Sequence, residues 1–199
     1  MEPLRDIAVI GASAGGVEAL RRLFAYLPSA YRGALFVVLH IAPGVTSVLG
    51  DILDRAGPLA AAAAVDGEAI EAGRAYVAPP DRQLLLDPTR VSVPSVPDAR
   101  GHHPAIDPLF GSAAAAFGPR VAGVVLSGTG EDGSAGLLAI AAAGGMTLVQ
   151  DPAEAQFPAM PASALRAVPA ARVERLDGIA AALATAAGGR SEGLTVAGR

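Results

Sequence analysis

Short apolar runs alternate with amphipathic segments along most of the chain. The apolar runs are followed by small or turn residues; they are DIAVIGAS (6–13), GALFVVLH (33–40), RAYVAPP (74–80), VAGVVLSGTG (121–130) and GMTLVQDP (145–152). Apolar runs bounded by turn residues are typical of buried strands. The pattern therefore predicts β-strands that end in loops.

The segments between these runs have helical spacing of their apolar residues. They are GGVEALRRLFAYLP (15–28), VTSVLGDILDRAG (45–57), IDPLFGSAAAAFG (106–118), DGSAGLLAIAAAGG (132–145) and, near the end, DGIAAALATAAGG (177–189). Most of them end at Gly or Pro, as helix C-termini commonly do. Alternating strands and helices predict a mostly parallel sheet covered on both faces.

The region from about Gln83 to His103 breaks this alternation. Prolines interrupt short strand-like pieces there, which favours a hairpin or an edge excursion over a second domain. A chain of 199 residues that is 52% hydrophobic suits one compact domain. We expect this domain over residues 1–190 and a loosely held tail over 191–199.

Composition excludes several classes of protein. A net charge of −4 without an arginine-rich run argues against a nucleic-acid surface. No apolar stretch approaches the roughly 20 residues that cross a bilayer, and no secretory leader is evident, so we expect a cytoplasmic protein. The chain has no Cys, and all fifteen basic residues are Arg. Cysteine nucleophiles, thiolate metal sites, Walker P-loops and Schiff-base chemistry are thereby excluded.

Three residues suited to catalysis follow predicted strands. Ser13 comes after the first strand, His40 after the second, and Asp132 lies in the loop after VAGVVL. In an open parallel sheet, such loops gather at one edge. A serine activated by a histidine that a carboxylate orients is a nucleophilic site, so the three positions predict a catalytic triad.

Other interpretations of the same residues stay open. Ser13 could be a helix N-cap, His40 an ordinary histidine at a strand end, and Asp132 a turn residue. The glycine-rich first loop could bind an anion or a nucleotide, although GASAGG lacks the G-x-G-x-x-G pattern. GASAG matches a nucleophile elbow, but only twelve residues precede Ser13, too few for an α/β-hydrolase.

A second cluster occurs in GHHPAIDPLF. His102, His103 and Asp107 could suggest a metal site. With so few ligand-type residues, we favour a substrate-side loop that leads into a helix, and we expect no metal.

Six ordered motifs resemble one known family. They are IGASAGGVEAL, LHIAPGVTSVLGDIL, AYVAPPDRQLLL, HPAIDPLFGSAA, GVVLSGTGEDGSAGLLAIAAAGG and QDPAEAQFPAMPASAL. In this order and at this spacing they are similar to the catalytic domain of chemotaxis protein-glutamate methylesterases, the CheB-type enzymes. The resemblance extends nearly from end to end.

The resemblance implies a three-layer α/β/α sandwich with a doubly wound, Rossmann-like sheet and a small hairpin excursion. It implies a serine hydrolase without cofactor, in which Ser13, His40 and Asp132 form the triad and the backbone amides of Ala14 and Thr129 form the oxyanion hole. The implied substrates are glutamate methyl esters on the cytoplasmic helices of methyl-accepting chemoreceptors. Deamidation of receptor glutamines is a second activity of the family.

The chain departs from the family pattern at several positions. His103 stands where members commonly have an arginine, so we expect it near the substrate, and Ala42 and Val45 replace a proline and an aromatic residue. The first strand begins by about Ile7, so we expect no receiver domain in this chain, which leaves open a separate regulatory protein or a fragment of a longer protein. The altered segments also motivate an alternative, a non-catalytic domain that binds a receptor or signalling partner.

Overall fold

A seven-stranded sheet lies at the centre of the structure, a computed structural model that describes residues 4–41, 47–95 and 104–188. Its strands are β1 (Ile7–Ala12), β2 (Ala34–Leu39), β3 (Ala60–Ala63), β4 (Arg74–Val77), β7 (Val121–Val125), β8 (Met146–Gln150) and β9 (Arg172–Glu174). The order is β3-β4-β2-β1-β7-β8-β9, and every pair of neighbours is parallel. The predicted parallel sheet is confirmed.

Helices cover both faces of this sheet. They are α1 (Gly16–Tyr26), α2 (Leu49–Ala56), α3 (Ile106–Phe117), α4 (Ser134–Ala142), α5 (Ala159–Ala167) and α6 (Leu176–Ala186). One face packs against α1, α2 and α6, and the other against α3, α4 and α5. The three-layer α/β/α architecture is therefore confirmed. No helix within the described ranges is both long and apolar enough to span a membrane.

The central strands are apolar throughout because neither of their faces meets water. All six residues of β1 and all six of β2 are buried. Their side chains alternate between two cores: Val9 and Phe36 belong to the core under α3 and α4, whereas Ile10 and Val37 belong to the core under α1. Burial on both faces explains the continuous apolar runs in the sequence.

The sequence analysis missed three elements. The edge strand β3 is a run of four alanines, and the opposite edge strand β9 is an Arg-Val-Glu tripeptide, so neither has an apolar strand pattern. Helix α5 follows Pro158 and carries Pro161 in its first turn, where a missing N–H is tolerated. Because prolines usually interrupt helices, the sequence pattern did not predict α5.

The expected hairpin is confirmed in the part of the central region that the structure describes. Strands β5 (Leu85–Leu86) and β6 (Val91–Ser92) pair antiparallel, outside the main sheet. Residues 96–103 and the tail from 189 lie outside the described residues. The domain end at residue 190 therefore stays a prediction.

The topology creates a crevice at the carboxyl end of β1. From β1 the chain continues to β2 on one side, and later returns to place β7 on the other side. Ala12 pairs with Leu39 in register, so Ser13 and His40 leave the sheet side by side. Crevices at such reversals of strand order are the usual ligand sites of open α/β sheets.

Candidate active site

Ser13 occupies the tight turn between β1 and α1. Its N–H donates to the carbonyl of Ser127 (3.0 Å), and its own carbonyl accepts from Gly16 N–H (2.7 Å). The N-cap of α1 is Gly15, in the left-handed conformation (φ 72°), with no side-chain hydrogen bond to the helix. The alternative of Ser13 as a helix cap is therefore wrong, and its half-buried side chain faces a cavity instead.

His40 is tied to Asp132 across 92 residues of sequence. Nε2 of His40 lies 2.7 Å from Oδ2 of Asp132, and the histidine side chain is only 6% exposed. His40 N–H donates to the carbonyl of Ala12 (3.1 Å), which fixes the histidine next to the Ser13 turn. When Nε2 carries the proton and donates it to the carboxylate, Nδ1 is the basic nitrogen of the ring.

Asp132 accepts three backbone hydrogen bonds besides the one from His40. Oδ2 accepts from Ile106 N–H (2.7 Å), and Oδ1 accepts from Asp107 N–H (3.0 Å) and Gly133 N–H (2.9 Å). Burial by itself raises the pKa of the Asp132 carboxyl, but these bonds and the one to His40 outweigh burial and lower the pKa to about 2. The carboxylate is therefore held ionised and oriented toward the imidazole.

An open cavity of about 410 Å³ lies at the ends of β1 and β2. Ser13, Leu39 and His40 line it together with the first turn of α1 and the exposed side chain of Gln156. The three predicted triad residues thus come to one place: Ser13 and His40 on the cavity, and Asp132 behind the histidine. An alcohol, an imidazole and a carboxylate in this order can carry out nucleophilic acyl transfer.

The two predicted oxyanion donors differ in position. Ala14 lines the cavity. Thr129 is exposed in the loop after β7 and is not among the cavity-lining residues, although Gly128 packs against Ser13. A methyl group added at Gly128 would lie 2.8 Å from Cβ of Ser13, so this loop can approach only without a side chain. The role of the Ala14 and Thr129 amides as oxyanion donors stays a prediction.

The remaining sequence predictions concern residues that the structure does not describe. His102 and His103 lie outside the described residues, as do Ala42 and Val45. The contact of His103 with substrate therefore stays a prediction. Within 4–41, 47–95 and 104–188, no group of three or more His, Cys, Asp or Glu side chains is arranged to hold a metal ion.

Three residues around the cavity were not singled out from sequence. Ser127 and Gly128 lie under the Ser13 turn, and Gln156 forms part of the cavity wall. The Ser-Gly pair was visible in the loop before Asp132, but its contacts with Ser13 depend on the pairing of β1 with β7. Gln156 lies within the motif QDPAEAQFPAMPASAL, but that motif gave no reason to place its side chain on the cavity.

Comparison with known proteins identifies the family of the chain. Residues 8–183 match the family model described as CheB methylesterase. The chain belongs to the CheB methylesterase family. The match includes the strands that carry Ser13, His40 and Asp132.

Individual CheB relatives support the same assignment. The chain is 41% identical over 184 residues to a protein-glutamate methylesterase/protein-glutamine glutaminase of Anaeromyxobacter dehalogenans, covering 92% of this chain and 54% of that protein. It is 37% identical to the Escherichia coli protein with the same description, over 80% of this chain and 46% of the relative. The chain spans about half the length of the curated relatives it matches.

A solved structure agrees with the fold. The catalytic domain of Thermotoga maritima CheB methylesterase superimposes with a TM-score of 0.85 and 29% identity, covering 90% of this chain and 97% of that domain. The similarity therefore extends through the whole CheB catalytic domain, including both helix layers.

Proposed function

We propose that this chain hydrolyses glutamate methyl esters on chemoreceptors, with Ser13, His40 and Asp132 as its catalytic triad. The observation that carries the proposal is the 2.7 Å contact between His40 Nε2 and Asp132 Oδ2, at the cavity that Ser13 lines. Membership of the CheB methylesterase family supplies the ester substrate. The open shape of the cavity suits a side chain presented on the surface of another protein.

The first half of the reaction forms an acyl-enzyme. His40 Nδ1 takes the hydroxyl proton as Ser13 Oγ attacks the ester carbonyl carbon, and Asp132 stabilises the imidazolium through Nε2. The backbone amides of Ala14 and Thr129 stabilise the oxyanion of the tetrahedral intermediate, where loss of one donor typically costs ~10²–10³ in rate. The imidazolium then gives its proton to the leaving methoxide, and methanol departs.

The second half of the reaction releases the glutamate. A water molecule, deprotonated by His40, attacks the acyl carbon, and the bond to Ser13 Oγ breaks with return of the proton to the serine. The products are a glutamate carboxylate, a proton released to solvent and free enzyme. Deamidation of a glutamine follows the same steps with ammonia as the leaving group, and the relatives' names combine both activities.

The proposed substrate implies a protein partner and a cellular location. The partner is the cytoplasmic helical region of a methyl-accepting chemoreceptor, and the reaction takes place in the cytoplasm. A separate regulatory protein is a further partner in this proposal. A net charge of −4 gives no reason to expect a nucleic-acid partner.

Methanol release from methylated chemoreceptor membranes tests the proposal. The native chain should release methanol, and Ser13→Ala should reduce the release to background because the nucleophile is gone. Ser163→Ala is the matched control, since Ser163 is a buried serine on α5 and does not line the cavity. Receptor binding without any methanol release by the native chain would instead favour the non-catalytic alternative.

A further inference from the structure

Ser127 contacts the nucleophile turn from below. It is 1% exposed and follows the end of β7. Its carbonyl accepts from Ser13 N–H (3.0 Å), and its hydroxyl donates to the carbonyl of Ala14 (2.8 Å). These two bonds bracket the Ser13–Ala14 peptide, which carries both the attacking side chain and the proposed oxyanion N–H.

The same hydroxyl also contacts a second segment of the cavity wall. It accepts from Phe157 N–H (3.0 Å), and Gly128 N–H donates to the carbonyl of Phe157 (3.0 Å). Phe157 directly follows Gln156, which lines the cavity. One buried hydroxyl therefore links the turn that carries Ser13 to the neighbouring loop that carries Gln156 and Phe157.

Ser127 is itself fixed from behind. Its N–H donates to Oε1 of Gln150 (2.9 Å), whose side chain is buried and in turn donates from Nε2 to the carboxylate of Glu154 (3.2 Å). The backbone of Ser127 is thus hydrogen-bonded to a buried side chain that has a further hydrogen bond of its own. It is buried and already engaged with two backbone groups, which excludes it as a second nucleophile.

We propose that Ser127 is a positioning residue that sets the reactive geometry of Ser13 and Ala14. Its hydroxyl restrains Ala14, the residue directly after the nucleophile. Among the described residues, no other side chain forms a hydrogen bond with Ala14. A displacement of about 1 Å at a reacting group can cost on the order of 10²-fold in rate. This proposal rests on the proposed serine chemistry, but not on the identity of the ester substrate.

Two assays on the whole chain test the role of Ser127 separately from the identity of the ester substrate. Hydrolysis of p-nitrophenyl acetate gives kcat and KM, and the rate of labelling by a fluorophosphonate reports the reactivity of Ser13 directly. Ser127→Ala is expected to lower kcat and the labelling rate by about 10–100-fold, with KM changed by less than about threefold. Ser163→Ala is expected to leave both unchanged, and Ser13→Ala defines the background.

Variants of similar size test the hydroxyl itself. Ser127→Thr keeps the hydroxyl and should retain most of the activity, whereas Ser127→Cys keeps the volume but offers only a weak donor and should lose about tenfold or more. If Ser127→Ala does not fold, the comparison of Ser127→Thr with Ser127→Cys tests whether the hydroxyl is required. Thermal unfolding of each variant shows which of them are folded.

Several outcomes would overturn the role of Ser127. They are a folded Ala or Cys variant with nearly native kcat, a Thr variant as inactive as a folded Ala variant, or a rise in KM at constant kcat. Fluorophosphonate labelling of the native chain without receptor demethylation would remove only the substrate assignment. Absence of labelling in the native chain would remove the serine mechanism and the Ser127 proposal together.

Discussion

Asp132 caps α3, the helix that contains Asp107, and Asp107 caps α4, the helix that follows Asp132. Asp132 Oδ1 accepts from Asp107 N–H (3.0 Å) at the start of α3, and Asp107 Oδ1 accepts from Gly136 N–H (2.7 Å) in the first turn of α4. Burial raises the pKa of Asp107, and the nearby Asp132 carboxylate adds to this effect. The Asp132 carboxylate also accepts from Gly133 N–H at the start of α4, so two helix N-termini hold it and their positive ends favour its charge.

Asp132→Asn should nearly abolish ester hydrolysis while the protein stays folded. The amide has one acceptor oxygen instead of two, so it cannot hold both the His40 tautomer and the first amides of α3. In other serine triads this change costs about 10⁴-fold in kcat. Hydrolysis of p-nitrophenyl acetate measures the loss; Asp51→Asn, an exposed position on α2, is the control. Activity within a few-fold of native would show that Asp132 does not orient the histidine.

The acid stability of the fold should depend on the same carboxylate. Its pKa is about 2 in the folded protein against 3.8 for the unperturbed group, so unfolding at low pH takes up a proton. The stabilisation is present above about pH 4 and is lost as the pH falls toward 2, and it amounts to about 2 kcal/mol. Urea unfolding between pH 2 and pH 6 should show this loss in the native chain.

A matched variant isolates the Asp132 contribution. Asp132→Asn cannot ionise, so its free energy of unfolding should fall less steeply over the same pH range than that of Asp51→Asn. Parallel curves for the two variants would mean that other groups account for the acid sensitivity.

Gly128→Ala should lower both kcat and stability. The added methyl group would lie 2.8 Å from Cβ of Ser13 and 2.7 Å from Cε of Met160, so the nucleophile turn or the methionine must move. Such overpacking typically costs about 1–3 kcal/mol. Thermal unfolding and p-nitrophenyl acetate kinetics measure the two effects.

Gly111→Ala is the control for this substitution. Gly111 lies within α3 with no atom within 4 Å of an added Cβ, so alanine should stabilise the helix by up to about 1 kcal/mol and leave activity unchanged. If Gly128→Ala behaved like Gly111→Ala, the close approach to Ser13 would not constrain the site.

Glu154→Ala should destabilise the protein far more than Arg22→Ala. The Glu154 side chain is 6% exposed and accepts hydrogen bonds from Arg22, Gln150 Nε2 and the first N–H of α6. Removing it leaves several donors without an acceptor, which costs about 3 kcal/mol, whereas the arginine is partly exposed and its loss costs about 1 kcal/mol at most. Urea unfolding measures both; equal losses would contradict this assignment.

Much of the fold could be predicted because buried parallel strands leave a strong signal. The strands β1, β2 and β7 are apolar along their whole length since helices cover both of their faces. The edge strands β3 and β9 left no such signal, because an edge position allows alanine, arginine and glutamate. Helix α5 was hidden by the prolines at its start.

The sequence by itself determined which residues could react. Ser13, His40 and Asp132 were identifiable because each follows a strand and because strand ends in a parallel sheet meet at one edge. Tertiary structure alone decided that His40 Nε2 faces Asp132, that this carboxylate also accepts the first amides of α3, and that Ser127 holds the Ser13 turn. These contacts join residues 26 to 113 positions apart, and two of them use backbone atoms that every residue type possesses, so no local pattern of side chains encodes them.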